Sequence, residues 1–318
     1  MQYLITGGAG FIGSHLGERL LADGHGVVAF DNFDPFYPAT IKRGNLDLLG
    51  AYPGFSFEEG DLRDRKALDR LFARYRIDAV IHLAAKAGVR PSIDDPEAYV
   101  DVNVNGTLRL LEAMRDAGVP RLLFASSSSV YGNQEKTPFS ETDEVDHPIS
   151  PYAATKRTGE LLAYTWHHLY GLDVACVRFF TVYGPRQRPD LAIRKFTELA
   201  LAGQPIPLYG DGSTQRDYTY VGDIVQGLVK ILALPAWGYE LVNLGNGQPV
   251  SLLDMVKALE KALDRPIAME WLDKQPGDVE QTHADVRKAA EWCGYRPEVS
   301  LDEGVRRFVD WTVGQLGD

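Results

Sequence analysis

A tyrosine and a lysine, Tyr152 and Lys156, stand four residues apart in a segment whose pattern predicts a helix. Residues at this spacing lie on one face of a helix, so the phenol and the ammonium would be neighbours. A phenol with its ordinary pKa of about 10 is a poor base at neutral pH, and a nearby cation lowers that pKa. The pair therefore has the chemistry of a tuned general base, unless it is an incidental surface Tyr and Lys.

Four consecutive serines, residues 126–129, follow an apolar run over 121–125 that predicts a strand. The carboxyl ends of parallel strands are where such sheets bind ligands. We therefore interpret these hydroxyls as ligand-binding groups, with an ordinary polar loop as the alternative.

The elements that must position these groups begin at the N-terminus, where Gly7, Gly10 and Gly13 follow a predicted strand and precede a predicted helix over 14–23. A glycine turn at this place lets the backbone approach a pyrophosphate and lets the helix pack closely on the sheet. The free N–H groups of the helix N-terminus favour an anion. The spacing differs from the commoner G-x-G-x-x-G, but the physical requirement is the same.

Acidic residues end the next two predicted strands. Asp31 lies about twenty residues past the glycine turn, where a carboxylate binds the adenosine ribose and repels a 2'-phosphate, so NAD is favoured over NADP. Asp61 could accept a hydrogen bond from adenine, or it could cap the following helix. A turn cap is also the alternative for Asp31.

Predicted strands over 27–30, 55–57, 79–83, 121–125 and 172–177 alternate with predicted helices over 66–75, 99–115 and from 152 onward. This order predicts an α/β fold with a Rossmann-type, doubly wound parallel sheet. We expect an NAD-binding domain over 1–178 and a smaller C-terminal α/β substrate-binding domain over 179–318, with some interleaved segments. The loop over 132–150 is expected to be exposed, and His82, inside an apolar run, is interpreted as a core histidine.

Composition excludes several classes of function. The net charge of −11 argues against nucleic acid as a partner, and the chain has no apolar run of the roughly 18 residues that a membrane span needs. Cys176 and Cys293 match no metal-ligand spacing, so we predict no metal and a reducing, cytoplasmic location. The first residues lack the pattern of a signal peptide.

Arginines are locally dense in the C-terminal third of this acidic chain, at positions 186, 188 and 216. Guanidinium groups suit a pyrophosphate, and surface ion pairing is the alternative. The sequence thus allows a phosphorylated small molecule as substrate.

Taken together, these motifs resemble the extended short-chain dehydrogenase/reductase superfamily and, within it, the nucleotide-sugar 4-epimerases of the branch that acts on UDP-glucuronate. The resemblance runs from Tyr3 to about Trp311. The motifs that carry it are Gly7-Gly-Ala-Gly-Phe-Ile-Gly13, His82-Leu-Ala-Ala-Lys-Ala-Gly-Val-Arg90, Ser126-Ser-Ser-Ser-Val-Tyr-Gly132, Val145-Asp-His-Pro148, Tyr152-Ala-Ala-Thr-Lys156, Arg178-Phe-Phe-Thr-Val-Tyr-Gly-Pro185, Arg216-Asp-Tyr-Thr-Tyr220 and Gln275-Pro-Gly-Asp278.

The resemblance implies roles for individual residues. Tyr152 would be the base, Lys156 would hold the nicotinamide ribose, and Ser127 would bond the sugar 4-hydroxyl. The other residues implied to bind NAD are Gly7, Gly10, Phe11, Ile12, Gly13, Asp31, Asn32, Asp61, Leu62, Leu83, Ala84, Ala85, Asn103, Ala125, Ser126 and Phe179. The residues implied to bind the UDP-sugar are Ser127, Ser128, Ser129, Thr181, Arg188, Tyr209, Arg216 and Asp278.

Two departures bear on the sugar. Thr181 stands where UDP-galactose 4-epimerases carry asparagine, which favours a C5 carboxylate bonded by hydroxyls. The run Gln281-Thr-His283 replaces the Ala-Thr-Tyr that is frequent in the glucuronate branch, and it leaves the fit around the sugar open.

The implied reaction is epimerisation of UDP-glucuronate to UDP-galacturonate through a 4-keto sugar, by a homodimer with bound NAD. The alternatives are a UDP-glucose or UDP-N-acetylglucosamine 4-epimerase, a UDP-glucuronate decarboxylase and a non-catalytic NAD-binding protein. A 4,6-dehydratase is disfavoured because residues 127–129 supply no carboxylate pair.

Overall fold

The computed structural model of the chain describes residues 1–273 and 279–317. The first part of the chain alternates strands and helices. Its elements are β1 (Gln2–Thr6), α1 (Phe11–Ala22), β2 (Gly26–Asp31), α2 (Ala39–Gly50), β3 (Phe55–Glu59), α3 (Arg65–Arg74), β4 (Ala79–His82), α4 (Val89–Asp94), α5 (Pro96–Val100), a π-helical turn (Asp101–Gly106), α6 (Thr107–Ala117), β5 (Arg121–Ser127), a 3-10 turn (Ser128–Tyr131), α7 (Pro151–Tyr170) and β6 (Asp173–Phe179).

Shorter strands and helices follow. These elements are β7 (Thr181–Tyr183), α8 (Ala192–Leu201), β8 (Ile206–Tyr209), β9 (Gln215–Tyr220), α9 (Val221–Leu232), β10 (Tyr239–Leu244), β11 (Pro249–Ser251), α10 (Leu252–Leu263), β12 (Met269–Leu272), α11 (Arg287–Cys293) and α12 (Leu301–Gly317).

The main sheet has the strand order β10-β6-β5-β4-β1-β2-β3. Strand β1 pairs in parallel with both β2 and β4, and the pairs β2–β3, β4–β5 and β5–β6 are also parallel. The strand order therefore reverses between β1 and β4, as it does in a doubly wound sheet. Such sheets bind their ligands at this point of reversal. The predicted fold class is confirmed.

The helix that carries Tyr152 is defined at both ends by its sequence. Ser150 accepts a hydrogen bond from the N–H of Ala153 (3.1 Å), Pro151 occupies the first turn, and Gly171 ends the helix in the left-handed conformation. Each of these residues is favoured at its position for a local reason. The local sequence thereby defines where α7 begins and ends.

The predicted helix over 99–115 is interrupted. Its residues belong to α5, the π-helical turn and α6, and Asn103 lies inside the π-helical turn. Such turns are rare and occur frequently at functional sites. Periodicity alone did not predict this interruption.

The loop over 132–150 is not exposed throughout, so that expectation was wrong. Phe139 is 1% exposed and forms a bridge with Ala284, and its N–H donates to the carbonyl of His283 (2.7 Å). Val145 is also buried. The loop contributes apolar side chains to the interior, although its two prolines and five acidic residues favoured an exposed segment.

The chain divides into two compact units. The first contains residues 1–132, 141–179 and 228–242, and the second contains 133–140, 180–227 and the described residues from 243 onward. The first unit packs β1–β6 and their helices around a core that includes Leu4, Val80, Leu110 and Leu122. The second unit holds the three-stranded sheet β11-β9-β7, the pair β12-β8 and a core of its own.

Within the described residues, no helix is both long and apolar enough to cross a membrane. Along the same residues, no three His, Cys, Asp or Glu side chains group as metal ligands would.

Candidate active site

The turn after β1 leaves no room for a side chain at Gly7 or at Gly13. Gly7 has a φ of +71°, and a Cβ built on it would lie 2.8 Å from the amide nitrogen of Ala84. A Cβ on Gly13 would lie 2.3 Å from the carbonyl oxygen of Gly7. The turn, the start of α1 and the end of β4 therefore approach one another at backbone distance.

Helix α1 begins at Phe11 without a side-chain cap on its N-terminus and without an acidic residue in its first turn. The first N–H groups of a helix have no partner within the helix. Phe11, Ile12 and Gly13 thus present uncapped N–H groups and the positive end of the helix dipole, which suits an anion.

A buried ion pair lies at the end of β2. The carboxylate of Asp31 accepts a hydrogen bond from the N–H of Phe33 (2.9 Å), and its Oδ1 lies 3.3 Å from Nζ of Lys42. Both side chains are less than a tenth exposed. Sequence reasoning singled out Asp31 but missed Lys42, because a lysine in the helix after a strand carries no signal of its own.

Asn32 and Asp61 come together beside this pair. The amide of Asn32 donates to Oδ2 of Asp61 (2.9 Å), and Arg63 donates three hydrogen bonds to the same carboxylate. The hydrogen bonds from Arg63 lower the pKa of Asp61 to about 2. The carboxylate of Asp61 already accepts four hydrogen bonds, so it can bind adenine only by giving up one of them. Adenine binding by Asp61 stays a prediction.

The segment after β4 is held by Asn103. Its amide accepts from the N–H of Lys86 (2.8 Å) and donates to the Lys86 carbonyl (2.9 Å) and to Oγ1 of Thr155 (3.0 Å). Asn103 therefore ties the chain next to Leu83, Ala84 and Ala85 to helix α7. This is a supporting role, and direct contact of Asn103 with a cofactor stays a prediction.

His82 is a buried core residue, as the sequence indicated. One ring nitrogen lies 2.7 Å from Oγ1 of Thr6 and the other lies 2.9 Å from Oγ1 of Thr107. Burial, with a smaller effect of Lys156, lowers the pKa of His82 to about 3. The ring is therefore neutral and links β1, β4 and α6.

Tyr152 and Lys156 lie one turn apart on α7. The ammonium of Lys156 donates to the carbonyl of Ala125 (2.8 Å) and lies 5.9 Å from the centre of the Tyr152 ring. Burial lowers the pKa of Lys156 to about 8, against an opposing effect of Glu160. The backbone N–H of Tyr152 donates to Oγ of Ser92 (3.1 Å), which fixes the start of the helix.

The hydroxyls of the four serines have different surroundings. Ser126 donates to Oε1 of Glu160 (2.6 Å), so its hydroxyl is used inside the protein. Ser127 caps the 3-10 turn by accepting from the N–H of Ser129 (3.1 Å). Ser128 and Ser129 are partly exposed, and Ser127 pairs in register with Phe179 of β6.

Sequence reasoning missed the partners of Ser126. Glu160 and Arg178 are buried and form a bidentate ion pair, with distances of 2.8 and 2.9 Å. Glu160 lies four residues after Lys156, and this spacing was the one signal in the sequence that could have identified it.

Several of the predicted substrate residues lie on strands of the second unit. Thr181 opens β7 and pairs with Tyr218 of β9, and Arg216 lies on β9 opposite Val250 of β11. These two residues therefore belong to one small sheet. Tyr209 ends β8.

Arg188 is held by Asp190 through two hydrogen bonds of 3.0 and 2.8 Å, which is the ion pairing considered as the alternative for this arginine. The guanidinium of Arg216 donates to the carbonyl of Gln215 (2.8 Å). Asp278 lies outside the described residues. Phosphate binding by Arg188 and Arg216 stays a prediction.

Asp217, next to Arg216, is a buried carboxylate that sequence reasoning missed. It accepts from the N–H groups of Asn246 (2.6 Å), Gly247 (2.9 Å) and Ala284 (3.0 Å). Burial raises its pKa. The side chain thus ties the strand that carries Arg216 to the backbone at residues 246–247 and 284.

Comparison with known proteins places the chain among nucleotide-sugar enzymes. Residues 4–308 match the family described as GDP-mannose 4,6 dehydratase. The chain is 46% identical to a UDP-glucuronate 4-epimerase of Thermodesulfobacterium geofontis, over 98% of this chain and 95% of that protein. It is 41% identical to UDP-glucuronate 4-epimerase 1 of Arabidopsis thaliana, over 100% of this chain and 78% of that protein.

Two solved structures are similar over nearly their whole length. The UDP-glucuronic acid 4-epimerase of Bacillus cereus, in complex with UDP-glucuronic acid and NAD, superposes with a TM-score of 0.94 at 38% identity, covering 99% of this chain and 100% of that one. The UDP-glucose 4-epimerase of Thermotoga maritima, with UDP-glucose, has a TM-score of 0.92 at 34% identity, covering the same shares.

Proposed function

Because the chain belongs to the GDP-mannose 4,6 dehydratase family of epimerases and dehydratases, we propose that it is an NAD-dependent 4-epimerase that interconverts UDP-glucuronate and UDP-galacturonate. The observation that carries this proposal is the buried Lys156 ammonium, 5.9 Å from the Tyr152 ring, at the strand end that bears the serines. The similarity to epimerases that act on UDP-glucuronate supports the choice of sugar.

The residues around the glycine turn fit NAD. Backbone atoms crowd the positions where a Cβ on Gly7 or Gly13 would sit, and α1 presents uncapped N–H groups. We propose that these groups hold the pyrophosphate, that Asp31 and Asn32 hold the adenosine ribose, and that Lys156 holds the nicotinamide ribose. Bound NAD supplies a hydride acceptor and donor at its nicotinamide ring.

In this proposal Tyr152 withdraws the proton of the sugar 4-hydroxyl and later returns it. Lys156 stabilises the phenolate, since an adjacent ammonium favours the ionised form of a phenol. Ser127 donates a hydrogen bond to the same sugar oxygen and orients it. Loss of that proton together with a hydride from C4, for which bound NAD would be the acceptor, would give a 4-keto sugar. After the sugar has turned over, return of the hydride to the opposite face of C4 and of the proton to the same oxygen would give the epimer.

The carboxylate of the sugar creates a hazard, because a 4-keto uronate is a β-keto acid that loses CO2 when its carboxylate bond aligns with the carbonyl π system. We propose that Thr181, Ser128 and Ser129 hold this carboxylate near the ring plane with neutral hydroxyls. Arg188 and Arg216 would bind the phosphates, Tyr209 would pack against uracil, and Asp278 would bind the uridine ribose.

Product analysis of the untreated protein tests the assignment. The purified protein is incubated with UDP-glucuronate without added cofactor, and the nucleotide sugars are followed by NMR. UDP-galacturonate is the expected product, whereas a UDP-pentose with CO2, or no product, would contradict the proposal. UDP-glucose and UDP-N-acetylglucosamine assayed in parallel decide between this enzyme and the neutral-sugar epimerases, one of which is a structural neighbour.

We further propose that the protein is a cytoplasmic homodimer that contacts its partner through α7. Leu161 and Tyr164 lie on one face of this helix and are about half exposed, as is Val100 of α5. Large apolar side chains grouped on a helix face are typical of a protein interface. Analytical ultracentrifugation should find a dimer that Leu161→Glu dissociates, while Val313→Glu, at an equally exposed valine of α12, should leave it intact.

A further inference from the structure

Glu160 extends the face of α7 that carries Tyr152 and Lys156. The three residues follow one another at intervals of four, so their side chains leave the helix in the same direction. Glu160 is completely buried. A buried carboxylate must be paired and hydrogen-bonded, and the partners of this one reveal what it does.

Four donors surround this carboxylate. Oε1 accepts from the hydroxyl of Ser126 (2.6 Å) and from Nε of Arg178 (2.8 Å). Oε2 accepts from Nη2 of Arg178 (2.9 Å) and from Nη1 of Arg157 (3.2 Å). Every acceptor site of Glu160 is therefore directed toward β5, β6 or its own helix.

Arg178 belongs to the strand next to the serines. It is the register partner of Ser126 in the parallel pair of β5 and β6. Its side chain is 1% exposed, and its guanidinium lies 4.8 Å from the centre of the Tyr131 ring. The ion pair thus joins α7 and β6 and packs against the 3-10 turn that follows the serines.

Two consecutive residues of β5 are held by two consecutive turns of α7. Lys156 binds the carbonyl of Ala125 (2.8 Å), and Glu160 binds the hydroxyl of Ser126. Ser127 is the next residue. The strand end is therefore clamped at two adjacent points immediately before the serine that is proposed to contact the sugar.

The same carboxylate acts on the charge of the α7 face. It favours the ammonium of Lys156, whereas burial opposes it. The other titratable or charged groups around this cluster are Tyr152 and Arg157 on α7, Asp146 in the preceding loop, His82 on β4, Cys176 and Arg178 on β6, Tyr131 in the 3-10 turn and Tyr239 on β10.

We propose that Glu160 and Arg178 are a positioning pair, which clamps the serine-bearing end of β5 and balances the electrostatic field at Tyr152 and Lys156. The inference rests on the proposed function for the identity of Tyr152 as the base and of Ser127 as the residue that contacts the sugar. Its distinctive prediction is that removing either charge moves the titration of Tyr152, in opposite directions.

The titration is measured in the holoenzyme by ultraviolet difference absorbance of the phenolate, with Tyr152→Phe in each background as the baseline. Glu160→Gln removes a negative charge and should lower the Tyr152 midpoint by roughly half a pH unit. Arg178→Gln should raise it by a similar amount. The double variant removes no net charge and should return the midpoint close to that of the parent.

A shift in the same direction in both single variants, or no shift in either, would overturn the electrostatic part of the proposal. Because no sugar is present, this result is independent of whether UDP-glucuronate is the substrate. If the two buried variants do not fold, Arg157→Gln tests the same field at a partner whose side chain is 23% exposed. Its expected midpoint is higher than the parent's, and an unchanged midpoint contradicts the proposal.

Ser126→Ala tests the clamp separately, since it deletes the hydroxyl and leaves every charge in place. We expect kcat with the sugar that the protein converts to fall roughly tenfold, because a misplaced contact residue stabilises the transition state less well. The titration midpoint of Tyr152 should stay at the parent's value. An unchanged kcat would overturn the clamp.

Discussion

The nucleotide edge of the first unit and its catalytic face are built by different means. At the nucleotide edge, after β1 and β2, the backbone determines the shape, since Gly7 and Gly13 leave no room for a side chain. At the proposed catalytic face, where α7 meets β5 and β6, the distinguishing feature is a set of charged side chains, since Lys156, Glu160 and Arg178 are all buried. The backbone of the first region leaves space for a ligand, whereas the second region keeps charged side chains out of contact with water.

The two buried ion pairs sharpen this contrast. Asp31 and Lys42 form a single contact of 3.3 Å at the nucleotide edge. Glu160 lies in a network with Arg178, Arg157 and Ser126. We therefore expect substitutions at the edge to change which cofactor is bound, and substitutions on the catalytic face to change the rate with the cofactor retained.

The largest effect is expected at Tyr152. Tyr152→Phe removes the phenol that is proposed to move the proton, and general-base catalysis contributes on the order of 100- to 10,000-fold. Interconversion of UDP-glucuronate and UDP-galacturonate should fall by at least that range, while bound NAD stays at the parent's level. Both are measured on one preparation, by NMR and by release of the nucleotide. Tyr170→Phe, at an exposed tyrosine of the same helix, is the matched control. Substantial activity in Tyr152→Phe would mean that the face of α7 is not where the proton is transferred, and the contrast between the two regions would no longer hold.

Gly13→Ala is the corresponding test of the nucleotide edge. The added Cβ meets the carbonyl oxygen of Gly7 at 2.3 Å, so the turn must shift. We expect the protein to lose bound NAD and about 1–3 kcal/mol of stability, as overpacking does elsewhere. Gly44→Ala, at an exposed glycine of α2 with open space around its Cβ, should keep both. Full retention of NAD in Gly13→Ala would show that the turn does not determine the shape of this edge.

Asp31→Asn should change the selectivity for the cofactor. The substitution leaves the Lys42 ammonium without its carboxylate partner. An unpaired ammonium beside the predicted position of the ribose 2'-hydroxyl would favour a 2'-phosphate. We expect the ratio of bound NADP to NAD, after equilibration with a mixture, to rise roughly tenfold, which corresponds to about 1.4 kcal/mol. Lys42→Met should lower that ratio. Equal ratios in the two variants would mean that the pair has no part in selectivity.

The smallest effect is expected from Thr181→Ala. Removing one hydroxyl from the set proposed to hold the sugar carboxylate should raise the fraction of UDP-pentose by a few-fold, since hydrogen bonds of this kind contribute about 1 kcal/mol each. The products are quantified by chromatography at the same extent of epimerisation in the parent and the variant. A product ratio identical to the parent's would argue that the carboxylate is held elsewhere.

The sequence predicted the nucleotide edge better than the catalytic face. The spacing of Gly7, Gly10 and Gly13 is a local signal, because the required backbone shape is encoded by neighbours along the chain. The partners of Ser126 come from α7 and β6, so Glu160 and Arg178 acquired meaning only when the sheet order was known. Lys42 was missed because a lysine in the helix after a strand carries no signal of its own, and the π-helical turn around Asn103 was missed because periodicity alone does not predict it.

In the second unit, the sequence alone indicated little beyond clustered arginines. The roles of Thr181, Tyr209 and Asp278 came from the family resemblance. The contacts of Asp217 with three backbone N–H groups join strands and turns that are distant in sequence. Prediction from local pattern cannot supply such contacts, because they depend on the packing of the whole unit.

The most direct test of the mechanism follows the hydrogen at C4 of the sugar. UDP-glucuronate labelled with deuterium at C4 is converted by the purified protein in ordinary water, and the label in UDP-galacturonate is read by NMR and mass spectrometry. Transfer to a cofactor that stays bound predicts that the deuterium remains at C4 of the product. Replacement of the deuterium by solvent hydrogen would contradict the proposed role of bound NAD.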